Sequence, residues 1–199
     1  MISSLTSRKL WQRPDVLRIL LIALLAETGY AVLNISAMPV YLKFDRHYSA
    51  IVIGFVLTGY LLSEASFKGI MGELADRFGR KKLMTLGPSL TIFTSILTLY
   101  IPSSFGIWAI FLIILLRIID GIGASMLWPA AFALMGDTVS EEEGQQSMSL
   151  LNICYFLGIA LALPIGGILD DLAGTIHASF YLASFLFLLV FFGSISTDP

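Results

Sequence analysis

Six apolar runs dominate the chain, each close to the roughly 20 residues a helix needs to cross the ~30 Å hydrocarbon core of a bilayer. They fall at about 16–38, 49–70, 83–101, 106–127, 147–169 and 178–195. Turn chemistry separates them: Pro39 after the first, Pro102 to Gly106 after the third, and Asp170 to Gly174 after the fifth. Inside hydrocarbon every backbone N–H and C=O must find its partner within the protein, so runs of this length are helices. Composition closes off a water-soluble reading. The 199 residues are 57% hydrophobic and 13% charged, against about 25% charged in soluble domains. The expected fold class is an all-α membrane protein of six transmembrane helices. One cysteine, Cys154, lies inside an apolar run, which leaves no disulfide framework and no thiolate metal site. No cleavable signal peptide is expected, because residues 1–14 are polar and the first apolar run is too long for a signal core.

The placement of Lys and Arg predicts orientation. Arg8, Lys9 and Arg13 precede the first run, and Arg77, Arg80, Lys81 and Lys82 fill the second connection. Only Lys43 and Arg46 stand on the other side. Both termini are therefore expected in the cytoplasm, with the protein in the plasma (inner) membrane. Ser140 followed by Glu141, Glu142 and Glu143 reads as a capped helix start, with the acids at the positive end of the dipole.

Ionisable groups inside a membrane span are costly and point to function. Glu27, Glu64, Arg117 and Asp120 stand out, with Lys68 nearer the end of the second run. Glu27 and Asn34, seven residues apart, share a helical face flanked by Tyr30 and Ala31. From Arg117 one face continues through Gly121, Ala124 and Trp128, and Arg117 is expected near the depth of Glu27. Asp120 is within reach of the guanidinium at i+3. Glu64 and Lys68 have the spacing of a helical ion pair, either a local pair at the membrane edge or a substrate contact. Gly158, Ala162 and Gly166 repeat every four residues, a small-residue stripe suited to close helix packing; Gly121 and Gly123 do the same in the fourth run.

Gly72, Asp76, Arg77, Gly79, Arg80 and Lys81 match, in order and spacing, the signature between the second and third spans of the major facilitator superfamily of secondary transporters. The chain resembles that family over nearly its whole length. A second match, Arg117-x-x-x-Gly121-x-Gly123-Ala124, resembles the fourth span of its proton-coupled members, which usually have a neutral residue where Asp120 stands. Around Pro164 the fifth run resembles the antiporter signature, but Leu163 replaces a glycine and the spacing to Gly166-Gly167 is one residue short. The resemblance implies two inverted three-helix repeats, about 16–101 and 106–195, forming the amino-terminal half of a transporter with about twelve spans. It places the first and fourth spans at a cavity and the third and sixth toward lipid. It gives Gly72, Asp76, Arg77, Gly79 and Arg80 a gating role, with Gly72 ending the second span.

The expected function is alternating-access transport of a small solute, driven by protons rather than ATP. Arg117 cannot release its proton, but it can alter the proton affinity of a carboxylate that pairs with it and parts from it. Glu27 is the first choice for the proton site and Asp120 the second; a permanent ion pair is the alternative. Tyr30, Asn34 and Trp128 would line a substrate cavity for an amphipathic or aromatic solute, which favours a drug or metabolite exporter over a sugar importer. The expected partners are the lipid bilayer, protons, the solute and a second six-helix half. That half would lie in the same longer chain, in a separate chain or in a homodimer. No cofactor, catalytic residue, metal site or nucleic-acid contact is expected. A six-span regulatory or binding protein that transports nothing is the alternative from another class.

Overall fold

The computed structural model describes residues 10–195. Arg8 and Lys9, which entered the charge count above, lie outside the described residues. Six helices are long and apolar enough to cross a membrane: Pro14–Asp45, Ala50–Phe78, Arg80–Tyr100, Ile107–Thr138, Glu141–Ala173 and Ala178–Ile195. No strand occurs among the described residues. The protein is an all-α membrane protein of six spans.

Most of the spans run past their apolar runs, the first, second and fourth by the most at their carboxyl ends. Pro39 does not end the first span, which continues to Asp45. A proline removes one i→i−4 donor and crowds the preceding turn; here the helix widens on both sides, at Val32–Ala37 and Tyr41–Asp45. The Met38 N–H reaches back five residues to Leu33 O, and the Arg46 N–H to Tyr41 O. Gly72 does not end the second span either. The helix runs on to Phe78, and the whole reversal falls on Gly79, at φ +102°, a conformation open to glycine and costly for other residues. What reads as a charged loop is thus two helix ends joined at one glycine. Gly72 instead faces the fourth span, where an added Cβ would lie 3.7 Å from Pro129. The fourth span runs to Thr138, carrying Pro129 inside it. The Ser140 capping box forms, with the Ser140 N–H donating to Glu143 at 3.3 Å.

The second span packs on the fourth, the third on the fourth and the sixth, and the first on the fifth and the sixth. Exchanging spans one, two and three for four, five and six maps this set of pairs onto itself, as expected for inverted triplets. Without a hydrophobic drive between helices in lipid, close approach depends on small residues. A Cβ on Gly121 would lie 3.0 Å from Glu64 N and 2.9 Å from Ser63 Cβ on the second span. Gly123 meets Gly87 of the third span, where its added Cβ would be 2.8 Å from the Gly87 carbonyl oxygen. Gly158 and Gly166 lie against Glu27 and Ser36 of the first span, with Ala162 fully buried between them.

The spans differ in how far the rest of the chain covers them. The second and fifth spans are the least covered, each with 17% of its apolar window buried. The third and sixth do present apolar residues outward, Phe93, Leu97, Phe185 and Phe192 among them. The third also buries a polar row, Thr91, Thr94, Ser95 and Thr98, which draws it inward against the fourth span.

Gly121→Ala should push the second and fourth spans apart and cost roughly 1–3 kcal/mol, the usual penalty for overpacking. Gly54→Ala, whose Cβ would meet nothing within 4 Å, should cost nothing. Thermal unfolding in detergent compares the two.

Candidate functional site

A cavity of about 190 Å3 opens between the first, second, fourth and fifth spans. It gathers Glu27, Tyr30, Asn34 and Trp128, but not Arg117 or Asp120, of the residues singled out in the first and fourth spans, together with Leu57, Tyr60, Glu64 and Tyr155. Glu27 is buried, and one of its carboxylate oxygens accepts the Trp128 indole N–H at 3.0 Å. Glu64 pairs with Lys68 at 2.7 Å and keeps only 17% of its side chain exposed. Sequence reasoning placed Glu64 at the membrane edge or on a substrate and missed Tyr60 altogether. The signal was present: Leu57, Tyr60, Leu61 and Glu64 are spaced i, i+3, i+4 and i+7, one face of a helix. Tyr155 carried no such signal, because no charged residue marks a face of the apolar run it lies in.

The second cluster is a buried ion pair. Arg117 and Asp120 are both fully buried, with Arg117 NH1 donating to Asp120 at 2.8 Å. Thr94 Oγ1 donates to the other Asp120 oxygen at 3.1 Å. The guanidinium also reaches Asn34 Oδ1 and Thr98 Oγ1, both at 3.5 Å, while its Nε–H has no partner.

Arg117 is not at the depth of Glu27. Glu27 sits level with Trp128, eleven residues and so about 16 Å of helix from Arg117. The estimate from sequence erred because both spans are longer than their apolar runs, which moves their midpoints. Asn34 belongs to both clusters. It lines the cavity, donates to Tyr30 O at 3.0 Å, and accepts from Arg117.

At the charged end of the bundle, Arg80 is the hub. Its Nε and NH2 donate to Asp76 at 3.2 and 3.1 Å, and NH1 donates to Ala133 O at 2.8 Å and to the Asp137 carboxylate. The turn at Gly79 is thereby tied to the end of the fourth span. Arg77 is exposed beside it. Asp137 lay beyond the expected end of the fourth span and was missed for that reason. A large cavity of about 1020 Å3 lies alongside, between this turn and the ends of the fourth and sixth spans. Arg13 adds a second tie, donating to Thr138 O at 2.8 Å and to Glu143 at 3.2 Å. At the opposite end Arg46 donates to Tyr41 Oη at 2.6 Å and Ser103 Oγ at 2.8 Å, and His177 lies 3.7 Å from Asp45.

A six-span bundle with buried charges, a side cavity and a charged turn at one glycine is the build of a membrane transport protein. The chain belongs to the Major Facilitator Superfamily, whose family model matches residues 19–198. It is 30% identical over 138 residues to the inner membrane transport protein YajR of Escherichia coli, covering 69% of this chain and 28% of that protein. It is 30% identical over 166 residues to the multi-drug resistance efflux pump PmrA of Streptococcus pneumoniae, covering 81% and 40%. It is 27% identical over 164 residues to the quinolone resistance protein NorA of Staphylococcus aureus, covering 82% and 40%. The chain thus spans less than half the length of these relatives.

Removing one partner of a buried pair leaves a bare charge and costs about 3–5 kcal/mol. Asp120→Asn should therefore lower the unfolding midpoint in detergent sharply. Combining Arg117→Met with Asp120→Leu should recover much of the loss.

Proposed function

We propose that this chain is the amino-terminal six-helix bundle of a proton-coupled secondary transporter that exports amphipathic solutes by alternating access. The observation that carries the reading is the cavity itself. It places a buried carboxyl group, Glu27, among Tyr30, Tyr60 and Trp128, with Asn34 linking it to the Arg117–Asp120 pair. A pocket of aliphatic and aromatic walls with a few placed polar groups suits a small amphipathic ligand. The multidrug relatives support export over import. The reading puts the protein in the plasma membrane with both termini in the cytoplasm, and the basic residues of the charged end, among them Arg13, Arg77 and Arg80, support that orientation.

Glu27 is the proposed proton site. An ionisable group kept in a membrane span at such cost is a functional candidate by default, and its indole partner accommodates either protonation state by donating to a carboxyl oxygen. Asp120 with Arg117 is the second candidate, and this structure holds that pair in contact. The repeats are assigned to about 16–101 and 106–195. Gly72, Asp76, Arg77, Gly79 and Arg80 form the gating end, where Arg80 and Asp137 clamp the fourth span. The facing wall of the cavity comes from a second six-helix half, which we place in the same longer polypeptide.

Two measurements test this. In proteoliposomes of the complete gene product, Glu27→Gln should abolish proton-driven accumulation while leaving energy-independent exchange. Proton-driven transport intact in both Glu27→Gln and Asp120→Asn would sink the coupling assignment. An antibody to the amino-terminal segment should detect, under full denaturation of native membranes, a band near twice the 21.8 kDa of this chain. A band at 21.8 kDa itself would overturn the single-polypeptide assignment.

A further inference from the structure

Trp128 and Tyr155 line two cavities at once. On one side is the chamber of about 190 Å3 that holds Glu27 and Glu64. On the other is a chamber of about 300 Å3 lined also by Lys68, Pro129, Phe132 and Asn152. The two rings meet edge to face, with centroids 5.1 Å apart at 75°, and they form the partition. The Glu64–Lys68 pair straddles the same boundary, Glu64 on the inner side and Lys68 on the outer.

The two leaves of this partition differ in how they are held. Trp128 is 6% exposed, donates to Glu27 at 3.0 Å, and packs on Phe132 at 5.6 Å. Tyr155 is half-buried, and its ring packs on Trp128 and on its chain neighbour Phe156. Its backbone is placed one turn on, where Gly158 approaches the first span so closely that an added Cβ would lie 2.8 Å from Glu27 Cβ. Trp128 is therefore the fixed leaf. Tyr155 takes no part in the Glu27–Trp128 hydrogen bond, so the partition has one leaf that can be truncated without removing either partner of that bond.

We propose that Tyr155 sets the upper size limit of the solute accepted beside Glu27 by closing the inner chamber off from its neighbour. The proposal rests on the reading of this cavity as the transport site. Two carboxyl groups among aromatic rings make organic cations the suitable probes.

The test compares phenyltrimethylammonium with the bulkier tetraphenylphosphonium, using the complete gene product in proteoliposomes. Both uptake kinetics and direct equilibrium binding of each labelled probe are measured. The unsubstituted protein should favour the smaller cation. Tyr155→Ala should raise kcat/KM for the bulky probe relative to the small one by at least about tenfold, the scale on which pocket shape discriminates, and should do so through KM. Tyr155→Phe, which keeps the ring, should leave the ratio unchanged, and Tyr155→Val provides a second truncation should the alanine variant fail to fold. An unchanged ratio in a truncated variant that still takes up the small probe overturns the size-limit role alone. If the unsubstituted protein neither binds nor moves either cation, the transport reading of the cavity falls, and this proposal falls with it.

Discussion

The Arg117–Asp120 pair sets the terms on which the central spans can meet. A guanidinium and a carboxylate fully removed from water need each other, and their remaining hydrogen-bonding sites need partners too. Asp120 obtains Thr94 from the third span; Arg117 reaches Thr98 on that span and Asn34 on the first. Those contacts require three helices to converge within side-chain reach. The residues that follow in the fourth span make this possible. Gly121 lets the second span approach and Gly123 lets the third approach, both closer than a side chain would allow. The charged pair and the glycine contacts are thus one arrangement, written within seven residues of a single helix.

The polar chemistry is divided along the bundle. The ion pair lies toward one end and Glu27 toward the other, so the cavity carboxyl group is not neutralised by Arg117 but held by an indole. Asn34 is the connection. It sits where the first span widens, at Val32–Ala37, and a wide turn of this kind inside an α-helix frequently marks a functional position. Movement of the first span at this turn would alter the cavity wall and the environment of Arg117 together.

The two ends of the bundle are each clamped by an arginine. Arg80 binds Asp76, the Ala133 carbonyl and Asp137, while Arg46 binds Tyr41, Ser103 and the Ile101 carbonyl. In both cases a planar guanidinium with several fixed donors joins segments far apart in sequence, which the single point charge of lysine does less well. Each end of the bundle is thereby tied across its spans.

The sequence by itself determined that the chain is membrane-embedded, all-helical and six times crossing, because apolar run length and backbone hydrogen bonding in hydrocarbon allow nothing else. It also singled out Glu27, Asn34, Arg117, Asp120 and Trp128, since an ionisable or polar residue in an apolar run stands out against its background. The tertiary structure decided which of these meet. Glu27 turns to Trp128, Arg117 stays with Asp120, and Glu64, Tyr60 and Tyr155 join the cavity. That pairing depends on the relative depth and rotation of neighbouring helices. These are set by contacts between residues far apart in the chain, such as Gly121 against Tyr60 and Gly158 against Glu27, and no periodicity within one helix encodes them.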